Sequence, residues 1–236
     1  METDNLTISY RPLGDTAIIL QFKEEISRDT YALIYKIASF LEAYSFEGFV
    51  EYVPAYTSVS IFYDPLIVSY PDLEMMMIEM LQELEDVDEK EQRMVEIPVL
   101  YGGAEYGPDL ELVAAYAKLS TSEVIDLHTA QEYLVQMIGF APGFPYLGGL
   151  DQRIAVPRKE NPRIKINAGS VGIAGKQTGI YPMDTPGGWQ IIGRTPLRLF
   201  DIQRSVPALI RAGDTIRFVA ITEDEFETLQ LSTHGH

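Results

Sequence analysis

The chain has 236 residues, 46% of them apolar and 22% charged, which fits a globular protein with a real core and one large or two ordinary domains. Its formal net charge of −17 excludes general nucleic-acid binding, which needs a basic face. The lack of cysteine excludes disulfides, Fe–S clusters, thiolate zinc sites and cysteine nucleophiles.

In chain order, Leu6–Tyr10 and Ala17–Phe22 alternate around a turn at Pro12-Leu13-Gly14-Asp15 and read as a strand pair. Ser27 is placed to cap a helix over 28–45, with Leu33, Ile34, Ile37, Phe40 and Leu41 on one face. Strands follow at Phe49–Val53 and Ser58–Tyr63, then a helix from Pro71. The run Met75-Met76-Met77 on that helix reads as a core-facing stripe with one exposed member. The order ββαββα predicts a small α+β domain over residues 1–88, closed by an acidic linker near Glu83–Glu91.

The second half has a different texture. Val95–Tyr101 reads as a strand, Pro108-Asp109 opens a helix to about Lys118, and Ser120 with Glu123 forms a capping box for a helix ending near His128. Glu132–Phe140 reads as a strand. From there to Thr215–Ile221 the chain is short β segments between Gly/Pro turns, which predicts a barrel or sandwich. The domain is expected over 93–222, with 223–236 a turn or two of helix and a frayed tail carrying His234 and His236.

Polar, acidic Met1-Glu2-Thr3-Asp4-Asn5 predicts no signal peptide, and no apolar run approaches the roughly 18 residues that span a bilayer, so a cytoplasmic protein without a membrane partner is expected.

The stretch 139–201 concentrates glycine, proline, aromatics and the single tryptophan, and so promises rigid loops of the kind that carry function. Residues 151–198 hold eight basic and three acidic residues, a balance of +5 that leaves −22 for the rest. Such an island suits either an anionic ligand or ion pairs with acids elsewhere in the fold. Gly175-Lys176 imitates the end of a phosphate-binding P-loop, but Ser170 and Gln177 stand where that motif needs Gly and Ser/Thr. Ser170 fails the nucleophile elbow because Ala168 precedes it by two. Gly169, Gly172, Gly175 and Gly179 read most simply as turn and bulge glycines, or as places of close backbone approach. Prolines flank Arg158, Arg163 and Arg194 and pre-orient them for a carboxylate or phosphate. His128, the one histidine outside the tail, is a candidate acid or base, and no metal is inferred.

Gly139–Leu147, Pro157-Arg158 with Pro162-Arg163, Ala168–Val171, Gln177–Pro182 and Pro186–Trp189 together resemble the allophanate hydrolase subunit 1 family. The resemblance implies a cyclophilin-like barrel after the α+β domain. It implies a component of an ATP-dependent 5-oxoprolinase that works with A- and C-type subunits and is inactive alone, with ATP held by the complex. The family's alternative role is inhibition of a sensor histidine kinase by direct docking. Under the enzyme reading, His128, Arg163 and Gln177 are the candidate catalytic residues. Arg158, Ser170, Tyr181, Trp189 and Arg194 are the candidate substrate-binding residues.

Overall fold

The computed structural model describes residues 8–22, 28–84 and 93–234, so the Ser27 cap and most of the acidic linker lie outside the described residues. The chain divides into two compact units, Met1–Lys90 and Glu91–His236.

In the first unit, β1 (Ser9–Pro12) and β2 (Ala17–Gln21) precede α1 (Arg28–Ala43), and β3 (Phe49–Pro54) and β4 (Ser58–Tyr63) precede α2 (Tyr70–Glu83). The strands form an antiparallel sheet in the order β1-β2-β4-β3. Ile18 and Leu20 pair across the ladder with Ile61 and Val59, so one face of the sheet is apolar. Ile34, Ile37 and Leu41 of α1 and Leu73, Met77 and Met80 of α2 pack on it. Ser69 caps α2 by accepting from the Asp72 N–H. Met77 is buried and Met75 exposed, the arrangement read from the methionine run.

The second unit begins with β5 (Met94–Tyr101), the single turn α3 (Gly103–Tyr106), α4 (Leu110–Ala117) and α5 (Thr121–Thr129). The Ser120–Glu123 capping box closes in both directions, at 3.2 and 2.7 Å. Then come β6 (Glu132–Ile138), β7 (Pro145–Gly148), a 3₁₀ turn (Gln152–Ile154), β8 (Arg163–Ile166), β9 (Ser170–Ala174), β10 (Gln177–Ile180), β11 (Thr185–Gly187), β12 (Gln190–Arg194) and β13 (Thr215–Ala220). Seven strands close a barrel in the order β10-β7-β6-β13-β5-β12-β9, and β8 with β11 makes a separate ribbon. The β5–β13 pair is parallel and the other barrel pairs are antiparallel. The barrel is filled by Ile97, Val99, Tyr133, Val135, Leu147, Val171, Ile173, Ile180, Ile192 and Phe218, joined by Val113 of α4 and Val124 of α5.

The turn or two of helix expected past Thr222 is present and runs further than read, where a frayed tail was expected. A twelve-residue helix α6 (Glu223–His234) follows β13. Thr222 and Glu225 cap it reciprocally, three acidic residues fill its first turn, and Phe226 is buried against Tyr106. His234 therefore ends a helix. Among the described residues no helix is long and apolar enough to cross a membrane.

Candidate functional site

The site is built on the outside of the barrel wall. Val171 and Ile173 of β9, with Thr178 and Ile180 of β10, point inward. Strand alternation then turns Gly172, Ala174, Gln177 and Gly179 outward. Gly175 (φ 60°) and Lys176 form the two-residue turn between these strands, so Gly172 and Gly179 fall directly opposite each other. The facing glycines leave a patch of wall without Cβ atoms, and aromatic rings rest on it. A Cβ on Gly179 would lie 3.0 Å from Trp189 Cζ3 and 3.1 Å from Phe144 Cζ, and one on Gly172 would lie 3.1 Å from Trp189 Cβ.

Phe144, Tyr181 and Trp189 are buried on this seat, with Tyr146 half-buried beside them. Their rings meet edge to face, with Phe144 5.2 Å from Tyr181 and 5.5 Å from Trp189. Gly187 on the ribbon lets the Tyr181 hydroxyl pass, since a Cβ there would collide with that oxygen. Burial pushes the Tyr181 phenol up to about 12, against a Trp189 backbone hydrogen bond, so it stays neutral. Phe140 covers the outer edge of this shelf. It contacts Phe144 and Tyr181 edge-on and is 63% exposed.

Six of the eight cations of the +5 island are paired. Arg153 binds Asp151, Lys165 binds Asp184, and Arg198 binds Asp201. Lys159 and Arg163 both reach Asp109, at 3.3 and 2.7 Å, and Arg194 faces Glu105 at 3.8 Å. Among the described residues Arg158 and Lys176 make no ion pair. Arg158 is exposed, and its segment lies beside Trp189, since the Lys159 N–H donates to the Gly188 carbonyl at 2.7 Å and Gln190 Nε2 to the Pro157 carbonyl at 3.2 Å; its charge acts on Tyr146 and Tyr181.

The sequence candidates therefore divide. Arg158, Tyr181 and Trp189 come together, and Gln177 stands at the shelf's edge opposite Ala174, a member of the aromatic cluster. Arg163 is held by buried Asp109. Burial works to raise the Asp109 carboxyl, but the Arg163 hydrogen bond, the Ile191 N–H at 2.7 Å and the charges of Arg163 and Lys159 hold it below the usual range. Ser170 is buried on β9, its carbonyl accepting from the Tyr181 N–H. Arg194 lies in a neighbouring pocket of about 420 Å³ with Asp184, Arg198, Asp201 and Gln230, and its Nε donates to the Ala168 carbonyl.

His128 lies inside the barrel with 0% exposure, not in the cleft, so in this conformation it has no path to a substrate proton. Thr178 Oγ1 donates to the Gly172 carbonyl and so accepts from His128 Nε2–H, which leaves Nδ1 to accept from the Tyr101 hydroxyl. This relay pins β5, α5 and β10 to the strand bearing the glycine seat. Burial lowers the imidazole to about 3, whereas the unfolded chain takes up a proton near 6.5. The stabilising effect of the neutral ring is complete above pH 6.5 and fades as pH falls. We expect unfolding free energy to drop by about 1 kcal/mol between pH 6.5 and 5.5, approaching a slope of about 1.4 kcal/mol per pH unit only below that window. Urea unfolding of wild type and His128→Asn between pH 5.5 and 6.5 checks this; an equal slope in both proteins refutes it.

The role of Asp109 and the facing of Gly172 against Gly179 are features of the candidate site that the sequence reading passed over. The glycines could have been found, because a two-residue turn at 175–176 forces 172 opposite 179.

Residues 8–210 match the family model for the carboxyltransferase domain, subdomain C and D. The chain belongs to this family. The family resemblance drawn from the glycine- and proline-rich motifs is thereby borne out. A relative from Bacillus subtilis, named as the B-type subunit of 5-oxoprolinase, is 49% identical, covering 94% of this chain and 97% of its own length. A protein of the same name from Escherichia coli O157:H7 is 44% identical over 88% and 93% of the two chains. The urea carboxylase of Kluyveromyces lactis shares the fold, with a TM-score of 0.78 and 22% identity over 98% of this chain and 23% of its own.

Proposed function

We propose that the chain is the B-type subunit of an ATP-dependent 5-oxoprolinase, working in the cytoplasm with A- and C-type subunits to open the ring amide of 5-oxoproline to glutamate. The 49% identity to the Bacillus subtilis relative of that name, over nearly the whole of its length, carries this reading. The site agrees with it chemically. The aromatic shelf of what we read as a cyclophilin-like barrel offers a dry face to a small ring. The unpaired Arg158 offers a partner for a carboxylate. The Gln177 carboxamide can donate to the ring carbonyl and accept from the ring N–H. Gly175-Lys176 is a hairpin turn and not the mouth of a helix, so the glycine-rich run is no P-loop, and we assign ATP to the complex as a whole.

The test mixes the chain with purified A- and C-type subunits and follows ATP hydrolysis stimulated by 5-oxoproline. An assembled complex without stimulation overturns the proposal. In an active complex, Arg158→Ala should raise KM at least about tenfold, through loss of a charge-assisted contact. Arg158→Lys should recover only part of it, because a point charge replaces a bidentate fork. An unchanged KM removes Arg158 from the site.

A further inference from the structure

We propose that Phe140 is a substrate-contacting residue whose ring is held out to stack on a small planar ligand seated between the aromatic shelf and Arg158. The proposal rests on the reading of this face as the site of a small cyclic amide.

The backbone at Phe140 has φ of 67°, and the Ala141 N–H bonds the Gly139 carbonyl at 2.8 Å. That pairing around a positive-φ residue is the strained form of γ-turn. Phenylalanine is poorly suited to such a conformation, which glycine adopts freely. Flanking bonds fix the turn: the Gly139 N–H reaches the Phe144 carbonyl at 3.1 Å and the Phe144 N–H the Ala141 carbonyl at 3.0 Å.

The strain is not offset by burial, since the ring is 63% exposed. It touches Phe144 at 5.5 Å and 78° and Tyr181 at 6.4 Å and 89°. An edge-on ring in that position covers little of the shelf and keeps a π-face available. Strain held by surrounding structure around an exposed aromatic points to function rather than stability. Phe140 meets Tyr181 by its ring, and the segment bearing Arg158 is tied beside Trp189 by the Lys159 N–H on the Gly188 carbonyl at 2.7 Å and by Gln190 Nε2 on the Pro157 carbonyl at 3.2 Å. A flat molecule bearing a carboxylate can therefore meet both at once.

Trp189 supplies the readout. It is the only tryptophan of the chain and belongs to the same ring cluster. The intact chain and its variants Phe140→Gly, Phe140→Leu and Phe140→Tyr are titrated with 5-oxoproline while Trp189 emission is followed, and each is melted thermally. We expect saturable binding by wild type and Phe140→Tyr, and binding about tenfold weaker in Phe140→Gly and Phe140→Leu. Phe140→Gly should melt at or above the wild-type temperature, because it relieves the turn.

No saturable change in wild type overturns the proposal, as does wild-type affinity in Phe140→Gly. So does a melting temperature of Phe140→Gly several degrees below wild type, which would make the ring a structural prop. If Phe140→Gly binds normally but no longer co-elutes with the A- and C-type subunits, the ring belongs to a subunit interface and the assignment falls. Stimulated ATP hydrolysis by the complex tests the reaction separately: binding without turnover overturns the reaction and leaves the contact standing.

Discussion

Asp109→Ala should destabilise the barrel unit by about 3–5 kcal/mol, the cost of removing one partner from a buried ion pair. Asp109 is 4% exposed and accepts from Arg163, Lys159 and the Ile191 N–H. Alanine leaves two cations and a buried backbone donor without their acceptor, and the neighbouring Arg163 Nη1 is already buried without a hydrogen bond. Ile191 is part of the aromatic cluster, so the damage should spread to the shelf. Asp109→Asn keeps a carbonyl for the Ile191 N–H but loses the charge, and should cost about half as much. Urea unfolding followed by Trp189 emission and by far-UV dichroism measures both. A loss under about 1 kcal/mol in the alanine variant would mean that Arg163 and Lys159 are content in solvent and that the network is incidental.

Gly179→Val should cost about 2–3 kcal/mol and, under the proposed function, abolish most turnover of the complex with A- and C-type subunits. Valine favours strands, so local propensity pulls the other way and any loss reports on space. The added Cβ would meet the Pro145 carbonyl oxygen at 2.9 Å as well as the Trp189 and Phe144 rings. A ring can tilt, but the Pro145 oxygen belongs to β7 and moves only with the barrel wall. The rings should lift from their seat, with a red shift of Trp189 emission as water reaches the indole. Unchanged emission with an unchanged melting temperature would contradict the seat. Gly175→Ala serves as the contrast: nothing lies within 4 Å of its Cβ, so its cost comes only from the left-handed backbone.

Much of the fold was legible because its signals are local. The short apolar run in Ala17–Gln21, helical spacing in α2 and the Ser120–Glu123 box act over a few residues, and the chain forms the elements they specify. The helix after Thr222 was read too short because its polar, acidic residues carry one deeply buried anchor, Phe226, and its apolar stripe is too thin to show its length.

The site was legible in its ingredients and not in its arrangement. The amino-acid sequence by itself determined that glycines, prolines, aromatics and arginines crowd into one stretch and that residues 151–198 within it carry +5. Tertiary structure decided which of those charges are free. Asp109, Glu105 and Asp201 neutralise four cations of the island, and all three lie outside it in the sequence. It also placed His128 inside the barrel, where Thr178 and Tyr101, 50 and 27 residues away, satisfy both ring nitrogens. The physical reason is the same in both cases. Burial and ion pairing depend on which surfaces meet, and barrel closure brings together residues that no local pattern relates.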